Sequence, residues 1–392
     1  MRAGTGEWTL PSVVSRSDLG AVDGSISPAA GQSSGIHPLR SDPGWLVKLY
    51  KAPLDAAETQ RLDTLVALPG ALAETQRSLL REQTSWPVAR VTGPDGLALG
   101  CVLPTAPDRF RVQTGNGNGT PAPNGNGPAG SRFQEIDFLA SPAAAFQRRG
   151  MRAPTSEDRW RVCRNLANVA AVLEQHRLVY SDWSYSNAFW SGQDQTVFLI
   201  DVDGCGIGSM PNIHQPNWED PLTPANAPAD AATDRYRVAL LTARCLTGRR
   251  DLASVLHTLA DTPDDVPAYR VFAEVLLDAL LAEHRTRRPR VEILAQVLNG
   301  GPYIRFKPAR LPLPARPGPQ RQGTVTGTFD QRVLIGAAAT PAAPKPQRSQ
   351  PPTPPPSPGD HHTAHGDWQW LVVTAIVLVA ALALAVLLVQ GS

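Results

Sequence analysis

The side chains best placed to do chemistry lie between Val179 and Gly204, in the run VYSDWSYSNAFWSGQDQTVFLIDVDG. Asp182 precedes Asn187 by five positions, and Asp201 closes the apolar strand VFLI. A helix, a tight loop, a strand pair and a carboxylate at the strand's end can set one base and two metal ligands around one point. Phosphoryl transfer needs that set, because the protein contributes little covalent chemistry but must position Mg²⁺ on the phosphates and orient the acceptor with a carboxylate. Asp and Asn are also ordinary turn residues, yet the spacing followed by a strand and Asp201 favours a site. Asp203 shares the face of Asp201 on an extended strand and competes with it as a metal ligand.

Several elements must hold these residues. Residues 45–51, WLVKLYK, read as a strand carrying Lys48, and Leu54 to Leu68 as one helix by its apolar period. WPVARVTGPDGLALGCVLP, 86–104, reads as a hairpin turning at Pro94 to Gly96. Three helices are expected downstream. SEDRWRVCRNLANVAAVLEQHR opens with a serine-led capping pattern, RYRVALLTARCLTG follows Asp234 and stops at a glycine, and AYRVFAEVLLDALLAEH carries helical apolar spacing. The sequence therefore predicts an α+β fold with a small β-rich lobe over 8–104 and a helical lobe over 133–300. An inserted Gly/Asn/Pro-rich surface loop, 105–132, separates them.

The run resembles the protein-kinase superfamily, whose catalytic loop H-R-D-x-x-x-x-N and D-F-G motif find counterparts in Tyr180-Ser181-Asp182, Asn187 and Asp201-Val202-Asp203. It looks most like the divergent bacterial kinase-like group often linked to helix-hairpin-helix or phosphatase partners. The resemblance implies a bilobal kinase-like fold using ATP and Mg²⁺. It implies Lys48 on the α and β phosphates, Glu58 as its ion-pair partner, and Cys101 to Leu103 as the interlobe hinge whose backbone meets adenine. By the same resemblance Asp182 orients the acceptor and Asn187 and Asp201 hold metal. Asp234 stands where the large helix of the second lobe opens, and Arg288 where the family carries an arginine near the lobe's end. The family's G-x-G-x-x-G is missing, with Gly20 and Gly24 the nearest glycines. Tyr180 and Ser181 replace the loop's His and Arg, and Ser184 stands at a position usually held by lysine in serine/threonine kinases.

The 392 residues carry 37 Lys plus Arg against 35 Asp plus Glu, a formal charge of +2, which gives no electrostatic case for a nucleic-acid binder dependent on phosphate contacts. Cys101, Cys163, Cys205 and Cys245 form no C-x-x-C pair and read as buried thiols in a reducing compartment. Of 38 prolines, 15 fall in 302–366, so 301–366 reads as a disordered, semi-rigid stalk. Its His361, His362 and His365 read as solvated, and Thr324, Thr326 and Thr328 as autophosphorylation positions. The uncharged run 371–389, at about 1.5 Å per residue, has the length of a transmembrane helix, placing an anchor at 367–392 with Trp368 and Trp370 at the interface. The expectation is a single-pass membrane protein with a cytoplasmic kinase that phosphorylates protein hydroxyls, chiefly Ser/Thr. The competing expectations are a pseudokinase scaffold that binds partners and a small-molecule phosphotransferase of the antibiotic-kinase type.

Overall fold

The computed structural model describes residues 10–26, 32–113, 131–212, 215–224, 226–262, 267–304 and 309–317. The segment 114–130, the three threonines, the three histidines and the apolar run 371–389 lie outside the described residues. No helix among the described residues is long and apolar enough to cross a membrane.

The N-terminal region is a five-stranded sheet: β1 (Val13–Ser15), β2 (Ser33–Leu39), β3 (Asp42–Tyr50), β4 (Ala89–Thr92) and β5 (Ala98–Pro104). The strand order is β1-β4-β5-β3-β2, with β1 parallel to β4 and the other pairs antiparallel. Period-two alternation sorts β3 into two faces. Val47 packs among Val14, Leu39, Val91 and Val102, whereas Leu46 and Tyr50, which flank Lys48 on its own face, pack with Leu62, Cys101 and Leu103. Lys48 pairs directly opposite Cys101. Gly100 keeps this register close, because a Cβ there would overlap the Lys48 carbonyl oxygen.

Two helices, not one, connect β3 to β4: α1 (Ala56–Ala71) and α2 (Glu74–Gln83). Helix α1 starts on a capping box, with Asp55 accepting from the Glu58 amide and Glu58 accepting from the Asp55 amide. Helix α2 reads ETQRSLLREQ and buries only Leu80 and Gln83, so its sequence offers little apolar period to detect. After β5, strands β6 (Arg111–Gln113) and β7 (Ser131–Phe133) pair, so the ends of the expected insertion form a ladder.

The C-terminal part is helical, with α3 (Ala143–Gln147), α4 (Ser156–Gln175), α5 (Ala231–Thr247), α6 (Leu252–Ala260), α7 (Pro267–Leu280) and α8 (Val291–Leu298). Helix α4 is capped by Thr155 with Asp158 at its third position, one residue ahead of the expected serine. Helix α5 begins at Ala231 on the Asp230 cap, which moves Asp234 into its first turn, and it ends at Gly248 in the left-handed conformation, φ 66°. Leu166, Tyr236, Leu241, Phe272 and Leu276 belong to the main core, which Leu65, Leu80 and Trp86 join from the N-terminal region. Between α4 and α5 run β8 (Leu178–Val179), β9 (Ala188–Trp190), β10 (Val197–Leu199) and β11 (Gly206–Ile207), paired as β9 with β10 and β8 with β11.

Residues 309–317 lie within the expected stalk yet are held against the helices. Arg310 binds Asp278 at 2.6 Å and Glu274 at 2.8 Å, and the Leu311 amide donates to the Leu281 carbonyl.

Candidate functional site

Three backbone segments carry the polar residues. Strand β3 brings Lys48, whose ammonium donates to Asp201 Oδ1 at 2.9 Å and to Asp203 Oδ1 at 2.8 Å. Burial alone would lower the Lys48 pKa, but the Asp203 and Asp201 carboxylates outweigh it and raise it well above the ordinary lysine value. Asp201 follows the end of β10 by two residues and adopts a left-handed backbone, φ 56°, which turns the chain into the short 3-10 turn Val202–Gly204. Its side chain is 42% exposed, whereas that of Asp203 is 3% exposed. Asp203 Oδ2 accepts from Tyr50 Oη at 3.1 Å. Arg61 of α1 donates to the carbonyls of Asp203 and Cys205, each at 2.7 Å.

The loop after β8 carries Asp182 and Asn187. Its entry is fixed by Asp234, whose carboxylate accepts from the Tyr180 amide at 2.7 Å and the Ser181 amide at 3.0 Å. Ser181 sits at φ 65°, and Arg237 donates to its carbonyl. The Asn187 side chain donates to the Asp182 carbonyl at 3.0 Å, which leaves its own Oδ1 as an acceptor approached by Ser186 Oγ at 3.4 Å. Two bonds tie this loop to the approach to Asp201: Ile200 N to the Asn187 carbonyl at 2.9 Å, and Tyr180 Oη to the Ile200 carbonyl at 2.6 Å. Burial, together with the nearby Asp201 charge, raises the Asp182 pKa, and Gln215 donates to Asp182 Oδ1.

Neither a known protein family nor a curated protein matches this chain. The residues themselves therefore carry the chemical reading.

Lys48, Asp182, Asn187 and Asp201 come together; three other expected residues do not join them in the anticipated way. Glu58 closes the cap of α1, and the Lys48–Glu58 ion pair is not formed, Lys48 pairing instead with Asp201 and Asp203. Cys101 and Leu103 are not a hinge: both lie inside β5 with buried side chains. The Val102 carbonyl accepts from Val88, so strand alternation turns the backbone polar groups of Cys101 and Leu103 toward their β3 partners, Lys48 and Leu46. The chain leaves the sheet after Pro104, and the Thr105 amide donates to the Gly44 carbonyl.

Sequence reasoning missed Arg61, Tyr50, Gln215 and the engaged role of Asp203. Only the Asp-x-Asp spacing pointed at the last of these. Gly20, at φ 71°, lies in a turn, and residues 21–26 run beside β2 through the Val22–Leu39 bridge.

A nucleotide-bound Mg²⁺ fits the donor set. Such an ion takes one or two protein oxygens and completes its octahedron with water and phosphate, and Asp201 with Asn187 Oδ1 supplies two hard oxygens. Among the described residues no group of three or more His, Cys, Asp or Glu side chains could hold a metal ion, and this mode of binding requires none.

Proposed function

We propose that the chain is a kinase-like, ATP- and Mg²⁺-dependent protein kinase, tethered to a membrane by its C-terminal apolar run, that transfers the γ-phosphoryl group to protein hydroxyls. The observation that carries this reading is the convergence of Lys48 from the sheet with Asp201, and of Asp182 and Asn187 with the same strand end. A five-stranded sheet ahead of a helical part, with Asp234 fixing the amides of the loop that bears Asp182, supports the bilobal kinase-like arrangement. The uncharged run 371–389 supports the tether, with the catalytic part on the cytoplasmic side.

Each residue then has one task. Lys48 places a buried positive charge beside the phosphates. Asp201 and Asn187 would hold Mg²⁺, which when bound would neutralise charge on the phosphate oxygens. Asp182 accepts the hydrogen bond of the incoming hydroxyl and takes its proton as the oxygen bonds to phosphorus and the ADP oxygen leaves. A carboxylate with a raised pKa is better matched to that proton than an ordinary one.

A second reading, a pseudokinase scaffold, is favoured by Gln215, which donates to Asp182 Oδ1 and so engages one of the two oxygens of the proposed base. Incubation with ATP labelled on the γ-phosphate separates the readings. A kinase labels itself or a generic protein substrate, a small-molecule phosphotransferase labels an aminoglycoside, and a scaffold binds nucleotide and labels nothing.

A further inference from the structure

We propose that Asp203, and not a carboxylate of helix α1, is the positioning residue that aims Lys48 at the nucleotide, with Arg61 stapling α1 to the turn that carries it. This rests on the phosphotransferase reading above. Kinase-like sites ordinarily orient their strand lysine with a glutamate from the following helix. Here that helix offers Glu58, but its carboxylate is spent on the Asp55 amide at the helix start. One turn further on, α1 instead presents Arg61, whose guanidinium grips the carbonyls of Asp203 and Cys205. The mechanical link between helix and site is kept while its charge is reversed.

The two carboxylates on Lys48 are not equivalent. Asp201 is substantially exposed and free to turn to a metal. Asp203 is buried, with Oδ1 on Lys48 and Oδ2 on the Tyr50 hydroxyl, so both of its oxygens are already engaged by buried donors. With Asp201 turned to an ion, Lys48 would still keep Asp203 as a partner. Tyr50 stands two residues along the same strand and holds Asp203 from the same face, so Lys48, Tyr50 and Asp203 form one unit. A consequence is that α1 influences the site through the backbone of the Asp201–Cys205 turn rather than by making and breaking a bond to the lysine.

The test is a double-mutant cycle on MgATP affinity in the full chain, with Lys48→Met as the second background. Asp203→Asn is expected to weaken MgATP binding by about tenfold or more, the scale of one charge-assisted hydrogen bond. In the Lys48→Met background the same change should cost less than about twofold, because its effect runs through the lysine. Asp201→Asn, acting chiefly through metal although it also meets Lys48, should keep most of its cost in the Lys48→Met background. Tyr50→Phe supplies a milder perturbation of the same unit, expected in the same direction and equally lost with Lys48→Met, and it carries the cycle if Asp203→Asn does not fold. Equal costs of Asp203→Asn, or of Tyr50→Phe in its place, in both backgrounds overturn the proposal and leave the phosphotransferase reading standing. So does a Glu58→Gln effect that disappears in Lys48→Met. A folded wild-type chain that binds no MgATP removes the underlying reading, and the proposal with it.

Discussion

Asp234 shows how one buried carboxylate sets a loop. It receives two amides of the segment leading to Asp182, and its burial still pushes its pKa up to about 6 despite those amides. A folded-state pKa above the ordinary aspartate value means that protonation favours the fold. The contribution is therefore full below about pH 4 and lost as pH rises through about 6. The unfolding free energy of wild type minus that of Asp234→Asn should shrink across that window in urea titrations at matched pH; a difference that grows would contradict the assignment. Arg288 and Asp220 behave oppositely. Both side chains are fully buried and form two bonds at 2.6 and 2.5 Å. Burial opposes ionisation of Asp220, but Arg288 outweighs it and holds the carboxyl below the usual range. Arg288→Ala strands that charge and should cost about 3–5 kcal/mol in chemical unfolding, whereas replacing both partners by apolar residues of similar volume should cost much less.

At the level of elements, the legible parts of the sequence were those with a periodic apolar face. Strand β3 declared itself through Leu46, Val47 and Leu49 around Lys48, and α4 and α5 through buried stripes such as Val162, Leu166 and Val169 or Val238 and Leu241. Helix α2 was illegible because it is mostly polar on the surface. The Asp182–Asn187 spacing and the terminal Asp201 were readable as local patterns. The Lys48–Asp203 pair, 155 residues apart, and the Arg61 contacts, 142 and 144 residues apart, leave no local trace. Glu58 lies on the helix that follows β3, but its position three residues after Asp55 makes it the partner of that cap. The cap of α4 offers a simple check of this level. Thr155→Ala removes the acceptor for the Asp158 amide and should lower stability by about 1 kcal/mol in thermal unfolding. An unchanged melting curve would mean that the helix start is held by packing alone.

Across the whole molecule, residues 309–317 of the proline-rich stretch are docked chain rather than free linker. Residues 309–317 remain fastened to the helical part through Arg310, on Asp278 and Glu274, and through His257 to the Pro314 carbonyl at 2.8 Å. A chain ending after Pro317 should melt like the full-length protein, whereas one ending before Ala309 should melt lower. Arg310→Ala should reproduce much of that loss, about 1.5–3 kcal/mol, since it removes a charged donor from a buried carboxylate. Equal melting of the two truncated chains would count against this docking. In the proposed function, Lys48, Asp182, Asn187 and Asp201 form one phosphoryl-transfer site with divided labour. The most direct measurement is MgATP affinity and phosphoryl-transfer rate in wild type, Asp182→Asn and Asp201→Asn, side by side. Asp182→Asn should keep near-wild-type MgATP affinity and lose roughly 10²-fold or more in transfer rate, and Asp201→Asn should lose the Mg²⁺-dependent part of binding. A wild-type chain that binds no MgATP, or an Asp182→Asn chain that transfers phosphate as fast as wild type, would contradict it.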